Sequence, residues 1–302
     1  PITAIYPQGK KEIFEVVFSD GAKTECCDEH LWLTQTKNDR NRYQYQKSIG
    51  HAVPKFGGTV KQLSEIRQSL IKGKRTKNHK IPMVGMVDLP ARDLPINPYL
   101  FGVLLGDGCL SDDGAVVTTP EAYIVNRMNQ IVHAAYQGDV TVNAMKCKGR
   151  CASYRLSKRQ GVKFNPLVSC LRDYGLMGVV SDDKFIPKEY LTASYEQRLD
   201  LLHGLMDTDG YVSKDGYTVQ FYSTSDNLAD SVIELVQSFG GNAWKKLKKA
   251  TYKKNGIVVD CKDCWIVGVR MPAEINPFSL PRKADRVKPK SRYQPCRYIV
   301  AV

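Results

Sequence analysis

The sequence has no apolar run approaching the length of a membrane span, and no charged-then-apolar leader opens it, so an intracellular rather than a secreted or membrane protein is expected. Histidine is scarce, five in 302 residues, and none lies near the Cys147/Cys151 or Cys261/Cys264 pairs, which argues against zinc knuckles. Nine irregularly spaced cysteines, an odd number, do not make a disulfide framework in a chain long enough to bury a core without one. Acid is in deficit: 31 Asp and Glu face 44 Lys and Arg, a net charge of +13. That balance predicts a polyanion as partner, nucleic acid first.

The positive charge is concentrated. Residues 37–80 are net +10 and residues 241–302 net +11, so the remainder is net negative. The first ~90 residues read as short strands and turns: Ile2 to Tyr6, Glu12 to Phe18, an Asp20-Gly21 hairpin signal, and Cys26 to Leu33. A helix is expected over Val60 to Lys72, with Leu63, Ile66 and Leu70 on one face. From Asn97 the pattern turns to alternating helices and strands, which places a domain boundary in Leu89 to Pro95.

An internal repeat appears at an offset of 102: Leu100 to Gly108 overlays Leu202 to Gly210, and Ser111, Asp113 and Gly114 overlay Ser213, Asp215 and Gly216. Each motif is followed by strand-like sequence and an amphipathic helix. The first begins at a Thr119-Pro120-Glu121 cap and buries Ile124, Met128, Ile131 and Val132; the second begins near Ser225-Asp226 and buries Leu228, Val232, Leu235 and Phe239. The chain thus reads as a pseudo-dimer, α+β in class, behind a mostly β first domain.

Asn97 with Pro98, and Ser194 with Gln197, start each motif on a helix. Each helix ends at its Asp-Gly, with Gly108 and Gly210 expected in a left-handed cap and Asp107 and Asp209 in the last turn, where the helix dipole disfavours a carboxylate. Small residues four apart, Gly102 with Gly106 and Gly204 with Thr208, allow two such helices to approach closely and bring both acids together. Paired carboxylates of this kind suit a divalent cation with oxygen ligands. A pair of core helices ending in ordinary Asp-Gly turns is the bland alternative, weakened by there being two matched motifs in a basic chain.

The two nonapeptides resemble the paired motifs of single-chain LAGLIDADG homing endonucleases, specifically the dodecapeptide type found inside inteins. The resemblance implies two αββαββα halves over residues 96–190 and 191–290, β-sheets laid in the major groove of double-stranded DNA, a monomer, and Mg²⁺ (with Mn²⁺ as a substitute) held at Asp107 and Asp209 with the carbonyls of Gly106 and Thr208 as further ligands. Lys184, in Asp183-Lys184-Phe185-Ile186-Pro187, matches the family's lysine block, and Lys283 is its counterpart: 77 residues separate Asp107 from Lys184 and 74 separate Asp209 from Lys283. A lysine beside each metal stabilises phosphorane charge or positions water; a phosphate contact or a solvated side chain is the alternative. DNA contacts are expected from Lys146, Lys148, Arg150, Arg155 and Lys158 in the first half and from Lys245, Lys246, Lys248, Lys253, Lys254, Lys262 and Arg270 in the second.

Residues 1–95, with a basic insertion at 37–80, resemble the Hint splicing domain of inteins: Tyr6 to Phe18 with Asp20-Gly21 looks like an intein strand pair, and Cys27-Asp28-Glu29-His30 sits where that family has Thr-x-x-His. The resemblance makes His30 the residue that activates a splice-junction amide, and residues 291–302 a strand returning to this domain. Pro1 and Ala301-Val302 supply neither the splicing nucleophile nor the terminal His-Asn pair. Three readings follow: a Mg²⁺-dependent endonuclease making a staggered double-strand break at a long asymmetric site; a catalytically silent DNA-binding protein of the same fold; or a piece of an intein whose main activity is splicing from a host protein.

Overall fold

The chain leaves its first structural unit at Met83 and re-enters it at Pro295, so that residues 84–294 form a second unit inserted in sequence between the two segments of the first. The computed structural model describes residues 3–53, 56–73, 76–111, 114–145, 151–249, 251–254, 257–288 and 295–302.

In the first unit, strands β1 (Ile13–Phe18) and β2 (Lys23–Cys27) form the expected hairpin at Asp20-Gly21, where Gly21 has a φ of 87°. The strand β3 (Leu31–Thr34) follows, then helix α1 (Lys37–Ser48), β4 (Thr59–Gln62), helix α2 (Leu63–Arg67) and the short strands β5 (Ile71–Lys72), β6 (Thr76–Lys77) and β7 (Lys80–Pro82). The return strand Cys296–Ala301 lies between β1 and β7 in the sheet order β2-β1-return-β7. Val16, Phe18, Leu63, Ile66 and Ile299 form its core. Buried within this unit, His79 bonds through Nδ1 to the Thr34 hydroxyl (3.2 Å) and through Nε2 to that of Ser69 (3.0 Å).

Several local elements differ from expectation. Residues 3–6 form no strand, and the expected strand from Cys26 to Leu33 divides into the end of β2, a turn and β3, because the His30 N–H closes back on the Cys27 carbonyl. The helix expected over 60–72 shrinks to Leu63–Arg67, since residues 59–62 are taken by pairing with β3. Within the basic insertion, α1 buries no residue and is started by a reciprocal capping box between Thr36 and Asp39, a helix without the apolar stripe that periodicity reads.

The second unit opens with residues 84–95 already bound to it: the Val87 N–H donates to the Ser238 carbonyl, and Arg92 exchanges hydrogen bonds with the Gln197 side chain. Its first repeat runs α3 (Pro98–Gly106), β8 (Gly108–Ser111), β9 (Gly114–Thr118), α4 (Ala122–Tyr136), β10 (Val140–Ala144), β11 (Ser153–Lys158) and α5 (Pro166–Asp173). After a 3-10 turn at Ser181–Asp183 and α6 (Lys188–Leu191), the second repeat runs α7 (Tyr195–Asp209), β12 (Gly210–Val212), β13 (Val219–Ser223), α8 (Asp226–Ser238), β14 (Asn242–Lys248), the hairpin of β15 (Thr251–Lys254) and β16 (Ile257–Asp260), β17 (Cys264–Arg270) and α9 (Pro281–Ala284). The two sheets share one order, β10-β11-β9-β8 and β14-β17-β13-β12, so the repeat visible in the motifs extends to topology. Helix α4 starts one residue after the expected cap, and Ile131 is only partly buried, while Ile124, Met128 and Val132 face the core.

Helices α3 and α7 run side by side in the same direction. A methyl at Gly102 would stand 2.5 Å from the Leu201 carbonyl oxygen, and one at Gly204 would stand 2.3 Å from that of Tyr99; four residues on, one at Gly106 would stand 2.0 Å from the Thr208 hydroxyl. Only glycine fits such contact distances; around them the apolar residues of α3 are buried, as are Leu201, Leu202, Leu205 and Met206 of α7.

Candidate active site and nucleic-acid interface

Asp107 caps the C-terminus of α3 and Asp209 is the last residue of α7, so both carboxylates lie at negative helix ends beside the contact of Gly106 with Thr208. Gly108 and Gly210 are not the left-handed caps expected from sequence: neither has a positive φ, and Gly210 is extended at φ −81°, ψ 147°. They are glycines because the strand leaves over the helix end, where a methyl would lie 2.1 Å from the Leu104 carbonyl oxygen and 2.2 Å from that of Met206.

Each helix end is closed by a lysine. The Lys184 ammonium donates to the carbonyls of Leu104 (3.3 Å), Leu105 (2.9 Å), Gly106 (3.2 Å) and Gly108 (2.6 Å). Lys283 donates to those of Met206 (3.0 Å), Asp207 (2.7 Å), Thr208 (3.1 Å) and Gly210 (2.7 Å), the same four positions 102 residues on. Both lysines are buried and satisfy the carbonyls a helix C-terminus leaves without partners. They are therefore neither solvated nor at the molecular surface, and the carbonyls of Gly106 and Thr208 each already accept one hydrogen bond from an ammonium.

Among the described residues neither Asp107 nor Asp209 takes a side-chain hydrogen bond. Burial pushes the Asp209 carboxyl up to about 7, aided by the charge of Asp107 and opposed by Lys184 and Lys283. Asp107 is raised too, again chiefly by burial against the pull of both lysines. Burial and the neighbouring Arg282 lower Lys283 to about 8, with the aspartates opposing, and Lys184 is lowered by burial alone. Two acids and two lysines thus form one electrostatically coupled group. Two half-buried carboxylates without donors are a donor set that a hard, oxygen-seeking divalent cation would fit.

The sheets spread from this group. Strand parity puts Tyr211, Gln220, Tyr222, Trp244, Lys246, Lys248 and Arg270 on the face of the second sheet opposite its helices, with the Arg270 guanidinium 5.7 Å from the Trp244 ring centre. Arg155 occupies the matching face of the first sheet, across from Asn143 and Val116. Other basic candidates go elsewhere. Lys245 turns to the helix side, where it pairs with Asp226 and Asp230 and covers the Trp265 ring; Lys158 donates to the carbonyls of Val162 and Lys163; Lys262 pairs with Asp182. Lys146, Lys148 and Arg150 lie outside the described residues; Lys253 and Lys254 sit on β15, but their side chains also fall outside the described part. The aromatic members of the second face, Trp244, Tyr211 and Tyr222, were missed by a search for charge alone, although the same alternation marks them.

His30 is an exposed residue of the first unit, its ring 5.3 Å from that of Trp32, beside a cavity also lined by Lys11, Cys26 and Cys27.

Residues 196–263, which hold α7, the second acid and most of the second sheet, match the model of the LAGLIDADG-like domain. The chain is similar to the replicative DNA helicase DnaB of Mycobacterium intracellulare, 31% identical over 75% of this chain and 34% of that protein, and to DnaB of Synechocystis, 29% identical over 52% of this chain and 19% of that protein. The chain therefore spans about a third or less of these relatives. Among solved structures it is similar to I-DmoI in complex with DNA and calcium (TM-score 0.41, 11% identity, 63% of this chain and 95% of that one) and to the homing endonuclease I-WcaI bound to its DNA recognition sequence (0.32, 12%, 82% and 96%).

Proposed function

We propose that this chain is a site-specific endonuclease that makes a staggered double-strand break at a long, asymmetric DNA site with Mg²⁺, or Mn²⁺ in its place. The observation that carries this is the paired arrangement of Asp107 and Asp209, each at the end of one of two interlocked helices and each beside a lysine that fixes that helix end. The two carboxylates would hold the divalent cation, and the Gly106 and Thr208 carbonyls, each accepting one hydrogen bond from a lysine, would serve as further oxygen ligands. The bound cation supplies Lewis-acid polarisation of the scissile phosphate and lowers the pKa of attacking water. Lys184 and Lys283 hold the last turn rigid, which sets the separation of the acids before substrate arrives. The outward faces bearing Arg155, Lys246, Lys248 and Arg270 track the duplex, and their different side chains in the two repeats support an asymmetric target.

Cleavage of a plasmid carrying the candidate site tests this, for the parent, Asp107→Asn and Asp209→Asn, with Mg²⁺ and with EDTA. Mg²⁺-dependent linearisation by the parent, lost in both variants, is the expected result. Tight site-specific binding with no cut under Mg²⁺ or Mn²⁺ would replace it with a silent DNA-binding protein. A second reading, residence inside a host protein with splicing as the main activity and His30 as its activating residue, is favoured by the match of three quarters of this chain to about a third of one longer relative. Expression of the chain with its natural flanking sequence, followed by mass measurement for a ligated host product, tests that reading.

A further inference from the structure

The two motif helices differ in the buried turn that precedes each acid. Where repeat one has Leu105, repeat two has Asp207, a buried carboxylate. Its Oδ1 accepts from the backbone N–H groups of Ser279 (3.0 Å) and Leu280 (2.9 Å), and its Oδ2 from the hydroxyls of Ser279 (2.6 Å) and Tyr99 (3.1 Å). Ser279 and Leu280 lead directly into α9, and the Leu280 carbonyl accepts from the Lys283 N–H at 2.9 Å. On the far side, Arg127 of α4 donates to the Ser279 hydroxyl (2.6 Å), pairs with Asp200 (2.6 Å) and lies 3.6 Å over the Tyr99 ring. The segment that presents Lys283 is thus held by a charged clamp drawing on α3, α4 and α7. Its counterpart Lys184 is held differently, through its own carbonyl, which accepts from the Ser225 hydroxyl at 2.6 Å.

We infer that Asp207 is a positioning residue for Lys283, so that the second half of the catalytic group depends on a buried carboxylate that the first half lacks. Without the carboxylate, two backbone N–H groups and two hydroxyls lose their acceptor in a buried setting, and the strain is relieved by movement of the 278–283 segment rather than of the packed helix. Lys283 then leaves the α7 carbonyls while Lys184 stays on those of α3. The consequence for DNA cleavage rests on the endonuclease reading; the consequence for the lysine does not.

The test compares Asp207→Leu, which gives repeat two the residue of repeat one, with Asp207→Asn, which keeps an acceptor for the two N–H groups. Native protein is treated briefly with an acylating reagent, and the modification of Lys283 and Lys184 is read in each by mass spectrometry. Lys283 is expected to become about 10- to 100-fold more reactive in Asp207→Leu and less so in Asp207→Asn, with Lys184 protected throughout. Unchanged protection of Lys283 in Asp207→Leu overturns the inference, and so does an equal rise at both lysines in Asp207→Asn. On substrate, the rates of cutting the two DNA strands are expected to diverge by a similar factor, whereas equal loss on both strands also overturns it. A parent that cuts neither strand defeats the endonuclease reading and leaves the lysine measurement to decide.

Discussion

Gly102 and Gly204 face one another across the pseudo-twofold axis, and a methyl on either would stand 3.0 Å from the other's Cα. Each would also meet backbone, the carbonyl oxygens of Leu201 and Tyr99, which cannot rotate aside as a side chain would. Replacing either glycine with alanine must therefore push the helices apart. A loss of about 3 kcal/mol, the upper end for overpacking, is expected for each in urea unfolding followed by circular dichroism. A cost under about 0.5 kcal/mol, typical of a surface change, would refute close helix contact here.

Lys184→Met and Lys283→Met keep most of the side-chain volume and remove the ammonium, stranding four carbonyls at each helix end. Matched losses of roughly 2–3 kcal/mol are expected, at the scale of buried acceptors left unpaired. If the lysines served only to meet phosphate, both variants would be as stable as the parent, and calorimetry separates the outcomes.

His79 links the first unit to pH. Burial, with the charges of Lys61 and Arg40, lowers its pKa below 6.5, so the folded unit favours the neutral ring while the unfolded chain takes up a proton near 6.5. Its contribution to stability is complete above that value and is lost as pH falls below it toward the folded pKa. The protection factors of amides in β1 and the return strand, which discount the intrinsic fall of exchange with pH, are expected to drop as pH falls below about 6.5, and His79→Gln is expected to flatten that dependence. Protection factors that rise on acidification would show that the ring is charged in the fold.

Lys245 and Lys246 are neighbours with opposite duties. Lys246→Ala is expected to lower the slope of log affinity for DNA against log salt by about 1, as for a lost phosphate contact. Lys245→Ala is expected to leave that slope unchanged and to cost up to about 1 kcal/mol of stability, since its partners Asp226 and Asp230 are half-exposed acids of α8. Equal effects of the two on the salt slope would contradict the assigned faces.

What was legible in the sequence is what is local or periodic. Asn97 with Pro98 and Ser194 with Gln197 start their helices as expected, because a cap is decided by a few adjacent residues. The offset of 102 carried the acids, and the similar spacings of 77 and 74 residues from acid to lysine led to Lys283. That the lysines close helix ends could not be read, because it depends on burial produced by folding of segments more than 70 residues apart. Gly108 and Gly210 were misread because glycine serves two needs, a positive φ and a close approach, and the dipeptide does not say which. Helix α1 escaped because its face is polar all round, and Asp207 because its purpose lies in a contact with Ser279 and Leu280.

The strand at Cys296–Ala301 sits between β1 and β7 rather than at a sheet edge, and its neighbours are made from the first 82 residues. During synthesis those neighbours emerge from the ribosome with a gap between them, and the gap stays open until the whole 84–294 unit has been translated. The inner unit consequently has the opportunity to fold first, and closing the outer sheet then joins ends already gathered by a folded insert instead of a long unfolded loop. A deletion that removes the inner unit and joins residue 83 to residue 295 by a short linker would present the outer sheet with the same strands and a smaller ring to close.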